Sequence, residues 1–270
     1  MAITVDSLAS ALASAQRLIF QKTTTAAKSA GAFQSCWLAA GNPGAGSAAP
    51  AYTAGSGYTC SKTTNGAIVN YANSAGGGLV NRIGRAQASS AIIGKLILVD
   101  RLWSCSGMGF AASTYSVTTP GSLPARITDN GVGVEAWVEQ FVAAGNASGT
   151  LTLNYKNVAD ASKAGVIAAV VSAPVAGQMQ PIPLQVGDTG IRSVVSAVNS
   201  ATWTSGTFGI TLAKRIVEIP IPLAGVGQVL DYAAAALARV PDDACLMGIW
   251  QAGATTATFI DAGFAVLDVG

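Results

Sequence analysis

The sequence has 270 residues and a formal net charge of +2; half of its residues are apolar, 10% are charged and 7% are aromatic. Since soluble domains carry about 25% charged residues, much of this surface is expected to consist of small uncharged side chains or to be covered by neighbouring subunits. The sequence contains no histidine, which removes the commonest general base and the commonest metal ligand. Composition therefore favours an assembly subunit over an enzyme.

Residues 6–20 are predicted to form a short amphipathic helix. Asp6 or Ser7 can cap it, and apolar residues from Leu8 to Ile19 recur at three- and four-residue spacing along one stripe. The N-terminus lacks the charged leader and unbroken apolar segment of a secretory signal, and no run of 18 apolar residues occurs. We therefore expect synthesis in the host cytoplasm and no membrane partner.

Residues 1–90 are predicted to form an extended N-terminal arm. Residues 39–66 are rich in Gly, Ala, Ser and Pro, a composition that cannot build a core but can order on another protein. The arm carries six basic residues and one acid, a balance of +5, whereas residues 91–270 carry nine basic and twelve acidic residues, a balance of −3. The basic residues are scattered, so no specific nucleic-acid partner is expected. The residues predicted to anchor the arm on a capsid are Leu8, Leu12, Arg17, Ile19, Phe20, Phe33 and Trp37.

Residues 91–270 are predicted to form a β-sandwich body. The apolar run 91–103 is interpreted as its first central strand. Further short apolar or alternating segments, separated by turn signals, predict strands over 132–142, 150–155, 164–171, 179–184, 191–198, 208–221, 245–252 and 256–269. A helix is expected near 226–240, with Pro241 stopping it. The predicted fold class is mainly β: an antiparallel, jelly-roll-like sandwich with an extended N-terminal arm and one or two short helices.

Four cysteines occur, at positions 36, 60, 105 and 245. Cys36 could pair with Cys60, and Cys105 with Cys245; four buried thiols in a reducing cytosol are an equally consistent interpretation. The spacings match no zinc site. No metal or other cofactor is therefore expected.

Catalytic groupings were sought and none was found. A Ser-His-Asp triad is excluded without histidine, and no G-x-S-x-G motif occurs. Glu135 and Glu139 stand four residues apart on one predicted strand, about 13 Å by the usual rise, which is far for a glycosidase pair. They are interpreted as part of a solvated strand face, and the chain is not expected to be an enzyme.

Several motifs resemble a group of structural proteins from tailed bacteriophages. They are Leu98-Val99-Asp100-Arg101-Leu102-Trp103, Ser106-Gly107, Leu123-Pro124-Ala125-Arg126 and the segment from Leu184 to Val194. The resemblance covers roughly residues 80–215 and implies a virion protein without catalytic residues. It does not give the position in the virion.

The charged residues within these motifs are predicted to hold the fold. Asp100 and Arg101 are expected to form a local ion pair beside Trp103. Asp188 is expected to bond its own backbone in a glycine-flanked turn. Arg126 and Arg192 are expected to donate to carbonyl groups.

The leading functional hypothesis is a capsid decoration, or cement, protein. Its partners would be the major capsid protein and further copies of itself, as a homotrimer, and it would lie on the capsid surface of the virion. One alternative is a major shell or tail-tube subunit. Another is an outward-facing host-recognition module, for which Tyr52, Tyr58 and Tyr115 are the candidate contact residues.

Overall fold

The computed structural model describes residues 4–27, 29–69, 71–76, 78–109, 111–117, 123–145, 149–200 and 205–269. Within these ranges the chain forms one helix, α1 (Val5–Ala13), and fifteen strands. The strands are β1 (Gln16–Thr23), β2 (Phe33–Ser35), β3 (Ala40–Asn42), β4 (Val80–Ser90), β5 (Gly94–Gly109), β6 (Ser113–Ser116), β7 (Val134–Val142), β8 (Leu151–Asn157), β9 (Ser162–Ile167), β10 (Gln178–Ile182), β11 (Ile191–Asn199), β12 (Thr207–Ile221), β13 (Gln228–Leu230), β14 (Leu246–Ala252) and β15 (Phe259–Val269).

The strands form three antiparallel sheets. A five-stranded sheet has the order β13-β4-β15-β1-β3, a four-stranded sheet has the order β6-β11-β8-β9, and β10-β2-β14-β5-β12-β7 close into a six-stranded barrel. One apolar cluster joins the barrel to the four-stranded sheet, a second joins it to the five-stranded sheet, and a third lies among the barrel strands. The prediction of a mainly β, antiparallel and sandwich-like fold is confirmed.

Strand β5 connects all three layers. It pairs with β12 on one side and β14 on the other, and its side chains are buried along most of its length. Leu96 and Leu98 pack toward the five-stranded sheet, Ile97 and Val99 toward the barrel interior, and Trp103 toward the four-stranded sheet. Alternation along the strand explains the first two directions, and a β-bulge between Arg101 and Trp103, opposite Ala213 and Leu212, turns Trp103 to the other side. The predicted central strand over 91–103 is therefore present, and it extends to Gly109.

The predicted helix over 6–20 is correct only in its first half. Thr4 caps α1 in place of Asp6 or Ser7, because its hydroxyl accepts from the backbone N–H of Ser7 at 3.2 Å. The helix ends at Ala13, and β1 begins at Gln16. From Arg17 to Phe20 the side chains alternate exposed and buried, because β1 is hydrogen-bonded to β15 along its whole length.

The described part of residues 1–90 is built into the sheets and is not extended as an arm. Strand β1 lies between β15 and β3, and β4 lies between β13 and β15. The Gly/Ala/Ser-rich segment follows the barrel, with bridges from Ala51 to Ser106 and from Thr59 to Trp103. The expected division at residue 90 is not seen here, because these segments find their hydrogen-bond partners within the same chain.

The helix expected near 226–240 is wrong. Strand β13 pairs with β4 there, and Ala236 and Leu237 have positive φ values of 51° and 46°. Such values do not occur within a right-handed helix. Val229, in the middle of β13, is 45% exposed.

Candidate functional site

The barrel interior contains an ion pair that is closed to solvent. Arg101 Nη1 lies 2.7 Å from Glu139 Oε2, and neither side chain is more than 1% exposed. Arg101 also donates to Ser104, and Thr211 donates to Glu139. The guanidinium lies over the ring of Trp37, 4.6 Å from its centroid. This network holds three barrel strands together, because β5, β7 and β12 each contribute a side chain to it.

A second ion pair begins at the neighbouring residue, Asp100. Arg126 donates to both carboxylate oxygens of Asp100, at 2.8 and 2.9 Å, and to the carbonyl oxygen of Cys60 at 2.8 Å. The expected pairing of Asp100 with Arg101 is therefore wrong: consecutive strand residues point to opposite faces, and each finds its own partner. The pair joins the segment Leu98–Trp103 to the segment Leu123–Arg126. Burial raises the pKa of the Asp100 carboxyl, against the lowering effect of Arg126.

The turn that contains Asp188, in the segment from Leu184 to Val194, is held by a tyrosine. Tyr155 and Asn157 donate to the carboxylate of Asp188 at 2.5 and 2.7 Å, where a bond to its own backbone was predicted. These two hydrogen bonds lower the pKa of Asp188. Burial, followed by the bond to Asp188, raises the pKa of Tyr155 to about 12.

The remaining predicted fold-holding residues differ in burial. Trp103 is fully buried and packs against Tyr58, with ring centroids 5.3 Å apart. Arg192 is exposed and pairs with Asp160 at 3.7 Å. This last contact can contribute little to stability, since exposed ion pairs are weak.

All four cysteines are buried free thiols. Neither of the pairings suggested by the sequence is formed. Instead, Cys60 and Cys245 lie together within the third apolar cluster, and Cys60 donates to the carbonyl oxygen of Tyr58 at 3.8 Å. Interaction with the Cys245 thiol, and then the charge of Arg101, lowers the pKa of Cys60 to about 7. Burial raises the pKa of Cys36 and of Cys105 to about 12.

The five-stranded sheet turns one face away from the barrel, and we call it the outer face. Its central row, read across paired strands, is Ile19, Gly263, Gln87 and Val229. A basic row lies on the side nearer α1 and an acidic row on the other: Arg17, Ala265 and Arg85 form the first, and Gln21, Asp261 and Ser89 the second.

Two shallow cavities open on the outer face. One, of about 400 Å³, is lined by Leu12, Arg17, Ile19 and Arg85 among others. The other, of about 380 Å³, is lined by residues that include Ile19, Val229 and Asp261. Gly263 lies at the floor of both cavities, since glycine has no side chain to fill them. Together they form a groove with a partly apolar lining.

The seven residues predicted to bind a capsid divide into two groups. Leu12, Arg17 and Ile19 line the groove, and Leu8, on α1, packs against the small apolar cluster that includes Leu267. Phe20 and Trp37 are buried in the chain's own core, and Phe33 packs edge-on against Trp137 with ring centroids 5.1 Å apart. The expectation is corrected for these three aromatic residues, because the barrel and its neighbouring sheet already cover them.

Sequence reasoning missed the role of Glu139. Its strand face was interpreted as solvated, yet Glu139 is completely buried and Trp137 of the same face lies in the barrel interior. The aromatic residue between the two glutamates was the available signal. Arg85, Asp261 and Gly263 were also missed, since no pattern in the sequence indicates that β4 and β15 are neighbours.

The tyrosines proposed as receptor contacts are packed inside the protein. Tyr58 and Tyr115 are 4% and 7% exposed, and Tyr52 packs edge-on against Tyr115 with ring centroids 5.5 Å apart. Tyr58 and Tyr115 are therefore not available to a ligand, and Tyr52 is partly buried against the same core cluster.

Two further observations concern metals and membranes. No group of three or more His, Cys, Asp or Glu side chains in the described ranges is arranged to hold a metal ion. None of the helical structure in those ranges has the length and apolar character that a membrane-crossing helix requires.

Comparisons with known proteins give faint similarities only. No protein-family model matches the sequence, and no curated protein matches it. Structures of infectious bursal disease virus, Gt and Gx strains, align over 94% of this chain and 81% and 80% of theirs, with 8% and 7% identity and TM-scores of 0.20 and 0.24. The crystal structure of the T13 particle of that virus aligns over 95% and 77%, with 9% identity and a TM-score of 0.20. TM-scores this low do not establish a shared fold, and nothing about function follows from them.

Proposed function

We propose that this chain is a structural protein of a bacteriophage virion, and more particularly a decoration protein that binds the major capsid protein lattice and stabilises the head. The observation that carries the proposal is that the polar residues form two sets, one buried and holding the fold, the other exposed on the outer face. Asp100 and Arg126, from the motifs that resemble phage virion proteins, form a buried fold-holding ion pair. The outer face meanwhile keeps exposed apolar side chains and charges.

The outer face supports binding to another protein surface. Leu12, Ile19, Val229 and Phe259 are between 39% and 55% exposed, and they lie on or beside one groove. Clustered apolar side chains with polar neighbours are typical of protein interfaces. Low overall charge also favours association.

The proposed mode of binding differs from that of a free arm. Leu12, Arg17 and Ile19 are presented by α1 and β1, both of which pack against β15. A preformed surface loses less conformational entropy on binding than a segment that must order first. The contacts would therefore be made by a rigid face, repeated many times over the lattice.

A shell or tail-tube subunit is the alternative that the same surface would serve. A shell subunit would assemble without a template, whereas a decoration protein would need a preformed lattice. A host-recognition module is disfavoured by the burial of Tyr58 and Tyr115.

Quantitative mass spectrometry of purified virions tests the proposal. A copy number equal to that of the major capsid protein, or a simple fraction of it, is expected for a head protein. A ratio of a few per cent would overturn the proposal and place the chain in the tail or a fibre.

Rebinding to undecorated capsids tests the decoration role itself. The purified chain should saturate such shells, and Ile19→Glu should weaken binding at least tenfold because it buries a charge in the groove. Val166→Glu is the matched control, since Val166 is 46% exposed on the four-stranded sheet. Equal binding by both variants, or assembly of the chain into shells alone, would contradict the decoration role.

A further inference from the structure

We infer that the outer face of the five-stranded sheet is a two-fold contact between two copies of this chain. The inference goes beyond the proposed function, because such a contact would form in solution without a capsid lattice. It uses the same groove that the proposed function assigns to the capsid, so the two contacts exclude each other and the pair of copies would have to separate before either one docks on a lattice.

The charges of the outer face are opposite at its two ends and unpaired. In the part of the chain that the structure describes, no carboxylate lies within 4 Å of the guanidinium groups of Arg17 or Arg85, and no basic group lies within that distance of Asp261. Asp261 accepts only a 3.3 Å hydrogen bond from Gln21. The basic and acidic rows stand about 13 Å apart, with the uncharged central row between them.

A two-fold axis that lies between the two facing sheets, parallel to the central row and passing over Gly263, pairs these charges. The rotation places β15 of the second copy antiparallel over β15 of the first, so that Asp261 of the second copy lies over Ala265. Arg17 and Arg85 flank Ala265 on the two neighbouring strands, about 10 Å from each other. One carboxylate therefore lies between two guanidinium groups, and the symmetry repeats this contact at the other end.

The uncharged residues fit the same arrangement. Gly263 faces its own copy at the axis, where the missing side chain lets the two sheets approach closely. Phe259 of the second copy comes to lie over Leu267, which α1 covers, and so meets the exposed Leu12. Apolar side chains then contact each other at both ends of the groove.

A second copy fits this face better than an acidic peptide would. An acidic peptide could neutralise Arg17 and Arg85 but would leave Asp261 unpaired and repelled. Only a partner with the same rows in reverse order satisfies both ends, and another copy of the chain supplies that order. Complementary charge placement of this kind sets register and excludes other partners.

Charge reversal tests the contact with the full chain. Sedimentation analysis of the wild type should give an even multiple of the 26.9 kDa subunit mass. Asp261→Arg should reduce the assembly to half that mass, because three basic residues then face each other at each end. The double variant Arg17→Asp/Arg85→Asp should do the same by placing three acids together.

Mixing the two variants provides the decisive measurement. The Asp261→Arg chain and the Arg17→Asp/Arg85→Asp chain should associate with each other at least tenfold more tightly than either does with itself. This recovery cannot occur if the substitutions had merely unfolded the chains. Gly263→Leu should block the axis without changing charge, and Val166→Arg, on the four-stranded sheet, should leave the mass unchanged.

Three results would overturn the inference: a monomeric or odd-numbered wild type, an Asp261→Arg variant with the wild-type mass, or a mixture that does not associate. Virion stoichiometry reports on the proposed function alone. A chain abundant in heads but monomeric in solution would therefore refute the two-fold contact and leave the decoration role standing.

Discussion

In the barrel interior, Arg101 and Glu139 lie 2.7 Å apart and are closed to solvent. On the outer face of the five-stranded sheet, Arg17, Arg85 and Asp261 are exposed and unpaired among the described residues. Removing a partner from the first pair leaves a buried charge, which is costly. Changing a residue of the second set alters only what can bind there. The comparison teaches that the charges that hold the fold are a separate set from the charges that the outer face exposes.

The strongest test of the comparison is Glu139→Ala. It leaves the Arg101 guanidinium buried without its carboxylate, and we expect a loss of about 3–5 kcal/mol in the free energy of unfolding, measured by urea denaturation. The double variant Arg101→Met/Glu139→Leu is the control and should lie much closer to the wild type. A loss below about 1 kcal/mol in the single variant would show that water reaches the Arg101–Glu139 pair in the barrel interior.

Arg126→Ala should have the next largest effect. Asp100 keeps the hydrogen bond from the backbone N–H of Cys245 at 2.9 Å, so we expect a loss of about 2–3 kcal/mol. Arg126→Lys should recover only part of this, because an ammonium cannot make the two parallel bonds of a guanidinium. Full recovery by lysine in the same denaturation assay would mean that charge alone matters.

The raised pKa of Tyr155 predicts a smaller, pH-dependent effect on the free energy of unfolding. Its pKa in the folded state is about 12, raised from 10, so its contribution to stability is complete below pH 10 and is lost as the pH rises toward 12. Tyr155→Phe should therefore lose stability less steeply than the wild type over that interval. Thermal unfolding at pH 8 to 12 measures the slope, and parallel curves for the two proteins would contradict the assignment.

The smallest effects are expected at exposed residues. Arg192→Ala breaks only the 3.7 Å contact to Asp160 and should change the free energy of unfolding by less than about 0.5 kcal/mol. Arg17→Ala should likewise change stability by no more than about 0.5 kcal/mol, while weakening self-association. A large loss of stability from Arg17→Ala would abolish the distinction between folding charges and assembly charges.

The sequence predicts one part of this fold well and another part poorly, for a physical reason. From β5 onward, apolar runs and alternation between turn signals place nearly every strand, because burial of one face imposes a period of two. Strand β1 was predicted to be helical because Ile19 continues the three- and four-residue spacing that begins at Leu8. The alternation of Leu18 and Phe20 is too short to outweigh that spacing when the partner strand is unknown. That partner, β15, is remote in sequence, and no local pattern specifies it.

The candidate site was predictable in a similarly uneven way. Asp100, Arg101 and Arg126 could be chosen as fold-holding residues because buried charges must be paired. Their actual partners depend on strand neighbours that local patterns do not give. Arg17 and Ile19 lie on the outer face, and their role in binding stays a prediction. Asp261 on the same face could not be found until β15 was placed beside β1.

The pairing of β1 with β15 would also tie the inferred self-association to the timing of synthesis. Gln21 and Asp261 are neighbours in the sheet but 240 residues apart in sequence. A ribosome that adds roughly 5–20 residues per second needs roughly 12–48 s to make the intervening chain. During that time the central strand of the outer face does not exist, so nascent copies on one messenger cannot pair through it. Only a subunit whose β15 has been made and docked can associate in this way.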